Sequence, residues 1–140
     1  MSPPLRVLFV CLHGAAKSVV AAEYFARLAV GSGCDVEVAS AGVEPDEQIP
    51  PHVVGGLRGD GFDVSGRMPQ PLTASAVARS DVVVSFGCDV ETDQASSTLI
   101  RWDDVPHVSD GYEVARDAIV ARLETLLREM SADRARSMRD

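Results

Sequence analysis

Cys11, Lys17 and Ser18 are residues whose types and spacing could act on an anion. A thiol is a nucleophile only as its thiolate, and a cation six residues on, with a hydroxyl beside it, favours that form. The residues between them, Leu12-His13-Gly14-Ala15-Ala16, are mostly small, so the backbone N–H groups of such a loop can close around a tetrahedral oxyanion. Lys17 as an ordinary first-turn lysine would oppose the dipole of a following helix, and a bound anion removes that conflict. The expected site therefore has Cys11 as nucleophile and Leu12, His13, Gly14, Ala15, Ala16 and Lys17 as the oxyanion cradle. Ser18 is the hydrogen-bond donor to the sulfur.

The flanking elements would aim this stretch. Leu5 to Val10 is almost continuously apolar and rich in β-branched residues, which suits a strand buried on both faces. Between Ser18 and Ala29, Ala21, Phe25 and Leu28 recur at helical offsets, so the loop sits on a helix N-terminus. That helix should end near Gly31-Ser32-Gly33, and Val36 to Ser40 then alternates as a second strand. Pro50-Pro51 suits the start of a helix through Val53, Val54 and Leu57, and Thr73 suits the N-cap of another.

Val82 to Phe86 and Thr98 to Trp102 read as the third and fourth strands, joined by a polar stretch from Glu91 to Ser97. A last helix from Tyr112 to Met130 carries Ala115, Ala118, Ile119, Leu123, Leu126, Leu127 and Met130 on one face, and residues 131–140 read as a frayed tail. Strands alternating with helices imply right-handed crossovers and a parallel sheet covered on both faces, a single α/β domain over residues 1–140. In such sheets ligands bind at the carboxyl ends of the strands. That edge collects Cys88 after the third strand and Asp103, Asp104 and His107 after the fourth. Cys34 has nothing basic beside it and reads as an inert small residue, and His52 reads as a solvated residue at a helix start.

Cys-x5-Lys-Ser after a first strand resembles the phosphate-binding loop of the low-molecular-weight protein tyrosine phosphatases and the related arsenate reductases. The resemblance continues through Ser40-Ala41-Gly42 with Glu44-Pro45, Gly61 to Gly66, Pro71-Leu72-Thr73, Asp81 to Val84 and an Asp-bearing loop before the last helix. It implies a four-stranded parallel sheet in one compact domain and an aspartic acid that protonates the oxygen leaving when the thiolate attacks. The family pattern has Arg where Lys17 stands, usually Asn where Gly14 stands, and usually Gly or Cys where Ala16 stands. Lysine is a mobile point charge rather than a bidentate fork, and Gly14 contributes no side-chain bond, so a loosely preorganised cradle is expected. The family's acid is an Asp usually followed by Pro. Pro106 stands two residues beyond Asp104, so Asp104 is taken ahead of Asp103, with His107 as a third candidate.

Thioredoxin-linked arsenate reductases carry a cysteine after the third strand, as Cys88 is here, and a further one downstream that this chain lacks. The tyrosine phosphatases tend to place aromatic residues after the acid, and Val105-Pro106-His107-Val108 offers none. The resemblance thus points to reduction of arsenate to arsenite, with no bound cofactor and with thioredoxin or a small thiol as the external reductant. Hydrolysis of phosphate monoesters and oxyanion binding without catalysis are the alternatives.

Thirteen basic and twenty-one acidic residues leave a net charge of -8, which repels nucleic acid and anionic membranes, so any anion must be captured locally. Met1-Ser2-Pro3-Pro4 leads straight into the first strand, and no apolar run reaches membrane-spanning length, so a cytoplasmic protein is expected. Three cysteines, an odd number without Cys-x2-Cys spacing, argue against a secreted disulfide framework and against a zinc site, so no metal is expected.

Overall fold

The computed structural model describes residues 3–91 and 97–139, so most of the expected polar connection lies outside the described residues. The strands are β1 (Leu5–Cys11), β2 (Val36–Gly42), β3 (Val82–Ser85) and β4 (Thr98–Arg101). They form a parallel four-stranded sheet in the order β2-β1-β3-β4. The chain passes from β1 outward to β2 and then crosses back to β3 on the other side of β1. The carboxyl ends of β1 and β3 are therefore the point where the winding reverses, and a crevice opens there.

Side chains alternate along β1. Val7, Phe9 and Cys11 face one side, Leu8 and Val10 the other, and all five are buried. The first side carries the larger core, covered by α1 (Lys17–Gly31), α2 (Pro51–Gly59) and α4 (Tyr112–Arg139). The other is covered by the short α3 (Ala74–Ala78), through Val77, and by Leu72. Cys11 thus points into the helix-covered side. Phe9 lies at its centre, edge-on to Phe25 at 5.7 Å, and Phe86 meets Trp102 edge-on at 5.6 Å.

The apolar stripe of α4 is buried from Ala115 through Ile119, Leu123, Leu126 and Leu127 to Met130. The helix does not stop there but continues to Arg139, where a frayed tail was expected. Residues 131–139 lose the apolar period, yet they contain no Gly or Pro, and their two Ala, three Arg and one Met favour helix. The helical backbone outlasts the apolar period.

Asp60, just past α2, ties three helices together. Its carboxylate accepts hydrogen bonds from the Tyr24 hydroxyl on α1 at 2.5 Å and the Tyr112 hydroxyl on α4 at 2.8 Å, and from Arg116 Nη1 at 3.2 Å. Burial pushes this carboxyl up, but the three donors together outweigh it and hold Asp60 below the usual carboxylate range. The same burial and the Asp60 bond push the Tyr112 phenol up. Tyr112 also lies flat on Gly56, where a Cβ would come within 2.6 Å of the ring.

Candidate active site

Residues 12–16 connect β1 to α1, and their backbone is held from behind. The carbonyls of Cys11, Leu12 and His13 accept bonds from the N–H groups of Val43 at 3.3 Å, Glu44 at 2.7 Å and Asp46 at 3.1 Å, all on the segment after β2. Their own amides are left over. Among the described residues, no N–H of Leu12 to Ala16 finds an acceptor. α1 adds to them, because Ala16 precedes it with no side chain able to cap its first turn. A row of free amides at an uncapped helix start is an oxyanion cradle.

Gly14 fixes the shape of that cradle. It adopts φ +61°, and a Cβ on it would stand 2.6 Å from Gly42 N at the end of β2. A Cβ on Gly42 would in turn strike Gly14 N and His13 C. Gly42 cannot retreat, because its N–H donates to the Gln70 carbonyl and its carbonyl accepts from Leu72 N–H, both at 2.9 Å. The expectation of a loose loop is therefore corrected: two glycines in backbone contact clamp it, with no need of an Asn side chain.

Cys11 Sγ lies 3.0 Å from Ser18 Oγ, and the serine is fully buried, so its hydroxyl is aimed at the sulfur. Cys11, Leu12, His13, Ala15, Ala16 and Lys17 line one cavity of about 350 Å³, with Gly14 in the clamp behind it. Lys17 opens α1 and has no carboxylate partner among the described residues.

The opposite wall was only partly foreseen. Pro50 and His52 enter from the start of α2, Phe86 from the end of β3, and His107, Val108 and Ser109 from the turn before α4. Asp46 also lines it, with Oδ1 3.3 Å from His13 Nδ1, which is 3.2 Å from the Glu44 carbonyl as well. Two oxygens facing Nδ1 place the ring proton there. All three histidines of the chain thus border the Cys11 cavity, His52 from the exposed position at a helix start that was expected of it. A Phe at the carboxyl end of a buried strand was the available signal for that part of the wall.

Asp103 and Asp104 do not line this cavity, contrary to expectation. Asp103 turns back to Arg101 Nε at 3.3 Å, and Asp104 pairs with Arg122 of α4. Both carboxylates are exposed and engaged elsewhere. The turn after β4 instead buries Trp102, Val105 and Val108, which sends His107 to the cavity.

Cys88 stands beside the site without lining it. Gly87, at φ +82°, turns the chain, and Ser85 Oγ both accepts from Cys88 N–H at 3.0 Å and donates to the Cys88 carbonyl. Burial pushes the Cys88 thiol up, and the charge of Cys11 pushes it further, while Arg101 and Lys17 pull it down. β3 pairs with β1 through Val10 and Ser85, so the turn that carries Cys88 lies next to the end of β1 that carries Cys11. No bridge joins the cysteines: Cys11, Cys34 and Cys88 are free thiols.

The family profile described as low molecular weight phosphotyrosine protein phosphatase matches residues 6–136. The chain belongs to that family. A curated relative from Halobacterium salinarum, provisionally named an arsenate reductase, is 27% identical over 89% of this chain and 92% of its own length. The thioredoxin-dependent arsenate reductase of Corynebacterium glutamicum is 31% identical with a TM-score of 0.82, over 94% of this chain. This phosphatase-family chain spans only 64% of that protein. The YwlE arginine phosphatase, at 21% identity and a TM-score of 0.76 over 94% of this chain and 99% of its own, shares the fold. Reductases and phosphatases both stand among the relatives of this family member. No helix among its described residues is long and apolar enough to cross a membrane.

Proposed function

We propose that this chain is a cysteine-dependent arsenate reductase acting in the cytoplasm, where thiols are kept reduced. The observation that carries the reading is the placement of Cys88, a second free thiol in the turn after β3, on the strand paired with the one that ends in Cys11. In the first step the Cys11 thiolate attacks arsenic. An S–As bond forms as an As–O bond breaks, and the departing oxygen takes up protons and leaves as water. In the second, the Cys88 thiolate attacks Cys11 Sγ. The S–S bond forms while the electron pair of the S–As bond stays with arsenic, which leaves as arsenite. As(V) gains two electrons and two thiols become a disulfide, which thioredoxin or a small thiol reduces again. Lys17 attracts the oxyanion, the free amides of the cradle hold its oxygens, and Ser18 steadies the sulfur.

A second reading rests on the size of the cavity. About 350 Å³ with Leu12, Pro50, Phe86 and Val108 on its wall has room for an organic group beyond the oxyanion, which a phosphate monoester would supply. The deciding experiment runs the purified protein with arsenate plus thioredoxin or small thiols, in parallel with p-nitrophenyl phosphate. Thiol oxidation that depends on arsenate supports the reductase, and phosphate release alone supports the hydrolase. Silence in both leaves a non-catalytic oxyanion binder.

A further inference from the structure

We propose that His107 is the proton donor to the oxygen that leaves when Cys11 attacks, a role that Asp103 and Asp104 are not placed to fill. The inference rests on the reading of Cys11 as nucleophile. Attacking and leaving atoms stand roughly in line in such displacements. Cys11 lies at the base of the cradle, so the leaving oxygen points away from the loop, toward the wall made by α2 and by residues 107–109.

The acidic side chains are disposed elsewhere. Asp103 and Asp104 face Arg101 and Arg122 outside the cavity. Asp46 does border it, but on the side of the cradle itself, with its carboxylate against His13 and its N–H bonded to the His13 carbonyl. His13 is committed through Nδ1 to Glu44 and Asp46.

Histidines 52 and 107 remain, and neither ring has a hydrogen-bond partner among the described residues. His52 sits in the first turn of α2, where the helix dipole opposes a proton-bearing cation. His107 sits on a turn fixed from both sides. Val105 and Val108 are buried in the core, Pro106 restricts the backbone, and Asp110 N–H donates to the His107 carbonyl at 3.1 Å. An imidazole on so restrained a segment, free of other partners among the described residues and lining the same cavity as the nucleophile, can meet the leaving oxygen.

The test compares His107→Gln, His107→Asp, His52→Gln, Asp103→Asn and Asp104→Asn with the unaltered chain, using arsenate with thiols and a series of aryl phosphates of graded leaving group. His107→Gln should lower kcat by ~10²–10⁴. Phosphate affinity, measured by calorimetry, should stay within about threefold of the unaltered chain, since this substitution removes a proton and not a cradle amide. The deficit should grow as the aryl leaving group becomes poorer, and His107→Asp, which restores an acid, should recover at least about tenfold. Asp103→Asn and Asp104→Asn should leave both activities unchanged. Full activity in His107→Gln, or a loss confined to His52→Gln or Asp104→Asn, overturns the assignment. Turnover of aryl phosphates without arsenate reduction refutes the reductase reading while the leaving-group series still judges His107. Absence of both activities in the unaltered chain removes both.

Discussion

Replacing Gly42 by alanine puts one methyl group between β2 and the oxyanion loop, at a distance from Cys11 in sequence but against its cradle in space. The added Cβ meets the backbone of Gly14 and His13, which cannot rotate aside as a side chain would. Gly42 is itself held by Gln70 and Leu72. Overpacking of this kind costs about 1–3 kcal/mol of stability. If the loop yields instead, the amides of residues 12–16 lose their common focus. Each hydrogen bond to an anion lost is worth about 1.5–3 kcal/mol, so phosphate or arsenate affinity should fall roughly 10- to 150-fold. Gly14→Ala meets the same clash and adds the strain of φ +61°, about 1–2 kcal/mol more. Gly31→Ala is the control, because its Cβ would meet nothing within 4 Å. Urea titration reads the stability and calorimetry the affinity. A Gly42→Ala protein that binds phosphate as tightly as the parent and unfolds at the same urea concentration would refute the clamp.

Three further perturbations separate the parts of the account. Lys17→Arg should tighten phosphate several-fold, because a bidentate fork replaces a point charge, and unchanged calorimetry would mean that the loop is shaped around lysine. Asp60→Asn should lower stability by about 1.5–3 kcal/mol at pH 7, since it removes the charge that Tyr24, Tyr112 and Arg116 hold. The folded-state pKa of Asp60 is depressed, so its contribution is present above ~3.9 and is lost as pH falls through the lower folded value. The gap between parent and variant should therefore close only in acid, and a gap that is the same at pH 3 and pH 7 would contradict this. The Cys88 thiol is pushed up, so bridge formation with Cys11 should keep accelerating at pH values where a free thiol has levelled off. Arg101→Gln should slow it, read by quenched alkylation, and a rate independent of pH would oppose the assignment.

The catalytic loop was legible because its signals are local. An apolar β-branched run, a cysteine, small residues and a helical period follow one another within about thirty residues, and each states its own conformation. The limits of β1, α1 and α2 followed in the same way from β-branching, Gly31 and Pro51. What long-range contact decides was not legible. Gly14 read as slack because its neighbour Gly42 lies across a strand, in a register that pairs Cys11 with Gly42. Asp104 read as a site acid because its partner Arg122 is brought in by the packing of α4, eighteen residues on. His107 carried a faint signal, since valines at 105 and 108 flank it and both turn inward. The last turns of α4 were misread because a helix was inferred from its buried face alone.

In the proposed reaction oxidation of Cys11 is answered by Cys88, and disulfide mapping after a single turnover tests this step most directly. The reduced protein is mixed with arsenate in the absence of external thiol, free thiols are alkylated, and bridges are identified by mass spectrometry. One Cys11–Cys88 bridge should form per arsenite released, with Cys34 alkylated and phosphate slowing the reaction by occupying the cradle. Arsenite released with Cys88 still alkylated, or a bridge that forms through Cys34, would contradict it.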